Sequence, residues 1–260
     1  DVLDIEILVK ERNTGQISLG AGYSTATKGF LQASIAQNNF RGLGQTLSFS
    51  LSLSGVEKNG ELSFTEPYLF DSQWTAGGTL FQTKRDRNAY KLEKKGSALR
   101  VGHPLFDYTR MFLTYKLEDT KLEAPNDPQI TPEIENGITS SLRLSLVTDK
   151  RDNTFEPTKG YYLSLSNEYA GLGGDMKWVK PEFDGRHYYK VWGDLVFRSR
   201  LYAGRFYESS RPIPVNEKFT LGGSRNLRGY NIDAIGPKRE GVIKDTNITR
   251  VFNAGALDVA

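Results

Sequence analysis

The sequence predicts an all-β protein whose antiparallel strands form a transmembrane β-barrel. Apolar and polar residues alternate in many short segments, the polar positions are mostly small side chains, and aromatic residues reach 12% of the chain although hydrophobic residues reach only 38%. No window of about 18 residues is free of charge, as a transmembrane helix would require. A β-barrel crosses the bilayer with strands in which apolar and polar side chains alternate.

The segment 45–54 shows this alternation most clearly. It reads QTLSFSLSLS, which places Leu47, Phe49, Leu51 and Leu53 on one face and serine or threonine on the other. Because a strand has a side-chain period of two, we predict an amphipathic strand here. The same period recurs in segments 16–23, 31–35, 111–118, 142–146, 161–166 and 195–203.

The composition of the polar faces favours a membrane barrel over a soluble β-sandwich. A soluble sandwich usually carries long charged residues on its outer faces. Here Ser, Thr, Gln and Gly recur with scattered charges, as suits a crowded, hydrated lumen. The apolar rows would then face lipid between two aromatic girdles, in which we expect Trp74, Tyr115, Tyr161 and Trp178.

The connections between the strands alternate between the two membrane surfaces if the chain enters the barrel from the periplasm at about Gly15. We predict outer connections at 25–29, 56–60, 84–94, 123–136, 170–175 and 206–249, and inner connections at 38–44, 67–73, 104–110, 148–160 and 190–193. Outer-membrane barrels have short inner turns and longer outer loops, a trend that holds weakly here because 148–160 is long for an inner turn. The connection 206–249 is long enough to indicate a functional or disordered loop.

Enzymatic chemistry has no candidate residues in this chain. Cysteine is absent, and the only two histidines, His103 and His187, lack metal-site spacing. The acidic residues of 149–156 are interleaved with Lys150 and Arg151, which indicates a solvated turn. We therefore expect no catalytic residue, metal or cofactor. The net charge of +3, from 34 basic and 31 acidic residues, gives no sign of a nucleic-acid partner.

Residues 222–230, GGSRNLRGY, resemble the loop signature of the BamA-type outer-membrane protein assembly factor superfamily, which includes two-partner secretion translocators. The matching tetrad consists of Leu227, Arg228, Gly229 and Tyr230. Three other stretches resemble the same family in the right order. They are EILVKERNTGQISLGAGYS at 6–24, TEPYLFDS at 65–72 and DNTFEPTKGYYLSLS at 152–166.

The resemblance implies a barrel of sixteen strands, of which about twelve are represented here. Residues 1–14 would be the end of a periplasmic POTRA domain, and residues 15–260 an incomplete barrel that lacks its C-terminal strands. The loop 206–249 would fold into the lumen, where Arg228 would pair with Asp258 in the twelfth strand at 253–260. An inward Asp beside an inward Arg is sensible because each charge needs a partner in a partly desolvated lumen. An ordinary solvated Asp258 is the alternative.

The first strand is the second functional element that the resemblance implies. It would form a weakly paired seam with the last strand, serving as a lateral gate and as a template that adds client strands at its edge. The gate strand contains Ile17, Leu19, Gly20, Gly22 and Tyr23. Its glycines weaken strand packing or, alternatively, relieve crowding in the lumen.

The resemblance thus predicts a factor that inserts β-barrel clients into the cell outer membrane. Its partners would be unfolded outer-membrane β-barrel proteins, outer-membrane lipid and accessory periplasmic or lipoprotein subunits, with the POTRA side in the periplasm. A two-partner secretion-type translocation pore is the first alternative. A passive porin is the second, and it would not require the tetrad 227–230.

Overall fold

The computed structural model describes residues 13–24, 28–86, 91–123, 136–208, 213–214, 216–219, 221–222, 227–230, 235, 238–242 and 249–253. In this part of the chain no helix is long and apolar enough to span a membrane. The one helical element in it is a short 3-10 turn, Leu69–Asp71.

Eleven consecutive strands form one antiparallel sheet in which each strand pairs with the next along the chain. This confirms the predicted all-β class. The strands are β1 Gly15–Ser24, β2 Lys28–Phe40, β3 Gln45–Ser54, β4 Glu57–Glu66, β5 Thr75–Asp86, β6 Lys91–Phe106, β7 Thr109–Glu123, β8 Gly137–Asp149, β9 Gly160–Ala170, β10 Trp178–Trp192 and β11 Leu195–Gly204.

The two faces of the sheet differ as the alternation predicts. On the outer face a row of apolar residues crosses five strands in register, and all of its members are exposed: Ile17, Ile35, Phe49, Leu62 and Leu80. The inner face carries small polar residues that bond across strands. Examples are the Ser48 and Ser63 hydroxyls at 2.7 Å and Thr83 donating to Asn59 at 2.6 Å.

The connections define two edges of the sheet, which we name by their loops. The short-turn edge carries 41–44, 67–74, 107–108, 150–159 and 193–194, whereas the long-loop edge carries 25–27, 55–56, 87–90, 124–136, 171–177 and the segment after β11. The turn 150–159 is ordered by Asp152, which accepts hydrogen bonds from the Thr158 hydroxyl and from three backbone N–H groups.

Three predicted outer connections are shorter than expected. The loop predicted at 25–29 contains the start of β2, the one at 56–60 contains the start of β4, and the one at 84–94 contains the end of β5 and the start of β6. Cross-strand ion pairs accompany the last two extensions, with Lys84 to Glu93 at 3.0 Å and Arg85 to Glu57 at 2.9 Å. Pairing between polar residues therefore continues beyond the apolar rows, where hydropathy alone gives no strand signal.

The aromatic girdle prediction is wrong for Trp178. Trp178 pairs with Ala170 on the inner face and is only 2% exposed, because the segment after β11 covers it. Trp74, Tyr115 and Tyr161 share the parity of the outer face.

The predicted loop 206–249 contains regular structure. A two-residue strand, β12 Tyr207–Glu208, pairs with β10, and β13 Lys238–Val242 forms a hairpin with β14 Thr249–Asn253. The remainder of the predicted twelfth strand, with Asp258, lies outside the described residues, as does most of the predicted POTRA remnant 1–14.

Candidate functional site: the loop seat and the edge strand

The long loop after β11 packs onto the inner face of the sheet. A buried apolar cluster joins three wall residues, Ala170, Met176 and Trp178, to three loop residues, Phe206, Ile213 and Phe219. We call this contact the loop seat. The loop begins at Arg205, whose backbone N–H donates to the carbonyl of Pro181 at 3.1 Å. This hydrogen bond keeps the start of the loop alongside β10.

Aromatic contacts give the loop seat its shape. Trp178 and Phe206 meet edge to face at 6.3 Å, Phe206 and Phe219 lie 5.2 Å apart, and the Lys180 ammonium lies 4.8 and 5.0 Å from these two Phe rings. Such cation–π contacts strengthen when water is excluded. Gly204 makes room for the loop, since a Cβ there would lie 2.5 Å from the Phe219 ring.

A buried ion pair ties the loop to the wall beside this cluster. Lys94 on β6 donates to Glu217 of the loop at 2.5 Å and to Glu118 of β7 at 2.9 Å. The side chains of Lys94 and Glu217 are only 17% and 15% exposed. Burial alone would raise the pKa of Glu217, but the attraction of Lys94 and Lys116 outweighs it, so the pKa of this carboxyl lies below its ordinary value.

The ion pair belongs to a larger network on the inner wall. Arg143 bridges Glu168 and Glu182 at 2.5 and 3.2 Å, and the Tyr202 hydroxyl donates to Glu182 at 2.7 Å. The network contains four bases, Lys94, Lys116, Arg143 and Lys180, against three wall acids, Glu118, Glu168 and Glu182. Glu217 supplies the fourth acid, so that the loop brings the network to charge balance.

The tetrad that the sequence singled out lies away from this network. Leu227, Arg228, Gly229 and Tyr230 are exposed, and Arg228 has no ion pair with any residue in the described ranges. The pairing of Arg228 with Asp258 therefore stays a prediction. The anchors that sequence reasoning missed are Glu217 and Phe219, immediately before the motif.

The edge strand β1 holds the predicted gate residues. Within the described part of the chain β1 pairs with β2 and lies at one end of the strand order. Ile17, Leu19 and Tyr23 are 72–79% exposed. On the inner face the Phe30 ring occupies the space of a Gly22 side chain, while Gly20 faces open space.

Among the described residues, no group of three or more His, Cys, Asp or Glu is placed to hold a metal ion.

Comparisons with known proteins agree on one family. Residues 39–253 match the Omp85 superfamily domain. The outer membrane protein assembly factor BamA of Nitratidesulfovibrio vulgaris is 29% identical over 92% of this chain and 31% of its own. The structure of BamA from Haemophilus ducreyi lacking POTRA domains 1–3 superposes with a TM-score of 0.78, at 24% identity, over 88% of this chain and 48% of that one.

A second solved structure, CdiB from Acinetobacter baumannii, shares the fold at a TM-score of 0.54 and 16% identity, over 84% of this chain and 42% of that one. The chain spans about a third of the length of the first curated relatives that it matches.

Proposed function

Because the chain belongs to the Omp85 superfamily, we propose that it is the membrane barrel of an outer-membrane protein assembly factor, which folds and inserts β-barrel clients through a lateral gate. The similarity to BamA proteins over most of this chain supports the proposal. The single observation that carries the mechanism is the composition of β1, which has Gly20 and Gly22 on its inner face and exposes Ile17, Leu19 and Tyr23 on its outer face.

An unpaired strand edge recruits another strand, because its N–H and C=O groups lack partners. β1 has ten residues, of which alternate ones direct their backbone groups to the edge opposite β2. When the seam at this edge opens, these groups would give a template of about five residues. Each unsatisfied backbone group in lipid costs several kcal/mol. A client strand that pairs with β1 therefore enters the bilayer with one edge already satisfied.

The composition of β1 suits a seam that opens. The inner face of the strand offers Gly20 and Gly22, so few side-chain contacts hold a closing strand in place. Ile17, Leu19 and Tyr23 keep the outer face apolar for lipid. The work is done by backbone hydrogen bonding and by perturbation of the bilayer, so we propose that the protein is not an enzyme.

The proposed partners follow from this role. They are unfolded outer-membrane β-barrel proteins, outer-membrane lipid and accessory subunits on the periplasmic side, which is the side of the POTRA domains. The protein would lie in the cell outer membrane with its short-turn edge toward the periplasm.

The test combines insertion with crosslinking. The full-length protein is reconstituted in liposomes, and the folding rate of an unfolded outer-membrane barrel is compared with that in empty liposomes. Residues 1–260 contain no cysteine, so in a full-length protein with any cysteine outside this range replaced by serine, Leu19→Cys places a single thiol on the edge strand. Ile35→Cys on β2 is the matched control. We expect faster client folding and a crosslink to a client cysteine from position 19 only. No acceleration together with a large steady conductance would refute the proposal.

A two-partner secretion-type pore is the second candidate, because such a pore would share this fold. The TEPYLFDS turn, which resembles the insertion branch, favours the first candidate. In the liposome assay a secretion pore would release an unfolded substrate into the lumen of the vesicle, whereas an insertion factor would leave the client in the bilayer.

A further inference from the structure

The inner face of the sheet divides into two halves of different charge. In the long-loop half the four bases of the network meet four acids once Glu217 is counted. The short-turn half carries six arginines against two aspartates, a net charge of +4 for this set. The arginines are Arg100, Arg110, Arg151, Arg186, Arg198 and Arg200, and the aspartates are Asp149 and Asp184. We call this set the arginine wall.

Half of the arginine wall already binds carboxylates. Asp184 accepts hydrogen bonds from Nε and Nη2 of Arg186 at 3.2 and 2.7 Å, and from the same atoms of Arg200 at 3.0 and 2.9 Å. Arg151 holds Asp149 in the same two-point manner, at 2.8 and 2.6 Å. The two parallel N–H groups of a guanidinium match the two oxygens of a carboxylate. The arginines of the wall are therefore oriented so that they can bind carboxylates at two points.

The other half of the wall has no carboxylate to bind. Arg100, Arg110 and Arg198 make no ion pair with any residue that the structure describes. Arg110 and Arg198 are exposed on the inner face, where their strand neighbours are Val147 and Tyr188. No carboxylate among the described residues neutralises these guanidinium groups, so the region around them attracts anions.

A cavity of about 560 Å³ lies against the wall and is lined by Arg151, Arg186, Arg198 and Arg200 together with Tyr188 and Phe155. Tyr162 lies between two of these arginines, with the guanidinium carbons of Arg151 and Arg186 at 5.3 and 5.0 Å from its ring. This stacking restricts the conformations of the two arginine side chains in the absence of ligand, which lowers the entropic cost of binding. The volume accommodates several side chains.

We propose that the arginine wall binds acidic polypeptide segments through their Asp and Glu carboxylates. The wall lies on the inner face of the sheet, opposite the apolar rows that face lipid, which favours a polypeptide ligand over the phosphates of membrane lipid. An extended peptide presents the carboxylates of alternate residues on one face about 7 Å apart, and the long arginine side chains of the wall can reach carboxylates at this spacing. The identification of client proteins as the source of such segments rests on the proposed function.

The experiment measures peptide binding by the full-length protein in detergent. A fluorescent decapeptide of alternating Glu and Ser is compared, by anisotropy at low ionic strength, with the same peptide carrying Gln for Glu. The variant Arg110→Gln/Arg198→Gln removes two unpaired arginines and leaves Asp149 and Asp184 with their partners. The matched control, Arg41→Gln/Arg205→Gln, loses the same charge at exposed positions outside the wall.

We expect the Glu peptide to bind at least tenfold more tightly than the Gln peptide, with affinity falling as salt rises. Arg110→Gln/Arg198→Gln is expected to weaken binding about tenfold, equivalent to about 1.4 kcal/mol, and the control variant by less than twofold. Circular dichroism and thermal unfolding show whether each variant has the wild-type fold.

Three results would overturn the inference. They are equal binding of the two peptides, equal weakening by the wall variant and the control variant, and tighter binding of tripolyphosphate than of the Glu peptide, which would mark a phosphate site. The liposome folding assay is independent of these results. Client insertion without peptide binding would refute this inference alone, and peptide binding without client insertion would refute the proposed function alone.

Discussion

Glu217 is the loop residue whose removal should release the long loop from the wall. The change Glu217→Gln keeps the shape of the side chain but removes its charge, so that four bases face three acids in the buried network. Breaking a buried ion pair by removing one partner costs about 3–5 kcal/mol. Lys94 keeps Glu118 at 2.9 Å and the amide still accepts a hydrogen bond, so we expect about 2–3 kcal/mol.

Amide hydrogen exchange of the loop segment around Ile213–Phe219 measures this change directly. An opening free energy lowered by about 2–3 kcal/mol raises the exchange rate of protected loop amides about 30- to 150-fold. The strand amides of β7 and β8 should change little, because their pairing does not involve the loop. Glu156→Gln, at an exposed position of the 150–159 turn, is the matched control and should stay within about 0.5 kcal/mol of the wild type.

A double-mutant cycle separates the ion pair from other effects of the substitution. The loop-opening free energies of Glu217→Gln, Lys94→Gln and the double variant are compared, and a coupling of about 1–3 kcal/mol is expected for groups in direct contact. A coupling below about 0.3 kcal/mol, within the additivity of independent sites, would refute the reasoning.

The pH dependence of the loop follows from the same carboxyl. The pKa of Glu217 is lowered in the folded protein, so its contribution to stability is fully present above the unfolded-state pKa of about 4.3 and is lost as the pH falls through the folded-state value. Acidification below about pH 4 should therefore lower the protection factors of the loop amides in the wild type, after correction for the intrinsic pH dependence of exchange. The same acidification should have a much smaller effect in Glu217→Gln.

Three further predictions use other contacts. Gly204→Ala places a methyl group against the Phe219 ring and should destabilise the loop seat by about 1–3 kcal/mol, seen as faster loop exchange, whereas unchanged exchange would show that the ring moves freely. The hydrogen bond from Thr158, followed by those from the backbone, holds the pKa of Asp152 well below its ordinary value. Acid should therefore loosen the 150–159 turn, and Asp152→Asn should abolish that pH dependence in exchange measurements. Arg228→Ala should make the loop more sensitive to protease, and retained protection would count against a docking role for Arg228.

Much of the sheet was predictable from sequence because seven of its strands, β1–β3, β7–β9 and β11, carry their own alternation, whereas β4, β5, β6 and β10 followed only from the connections on either side. The alternation in 45–54 gives β3 and its faces directly, and the order of the hairpins follows from chain order. Trp178 could not be placed this way. An apolar residue is stable at this inner-face position only because a loop from a distant part of the chain covers it. The alternation of a strand shows which face a residue is on but not what packs against that face.

The contacts of the loop seat and its ion pair were not predictable from a local motif. The exposed tetrad 227–230 has a recognisable sequence, whereas Lys94 and Glu217 are 123 residues apart and look like ordinary surface charges. A buried ion pair leaves no trace in local composition, because each charged residue can be buried only when its partner is present, and the partner lies elsewhere in the sequence. Three-dimensional register is what places Lys94, Glu118 and the loop in one cluster.

Side-chain packing on the inner face is dense at β6–β10 and sparse at β1, so the two parts of the sheet should differ in how easily their strands separate. β6–β10 carry the buried charge network and the loop seat, whereas β1 contributes glycine and serine to the inner face and exposes its apolar residues. Regions with few buried contacts open at low free energy while densely packed regions stay closed. Under the proposed function a template strand would have to release each client, so weak packing at β1 would favour turnover, and the network at β6–β10 would keep the rest of the sheet paired while the edge exchanges partners.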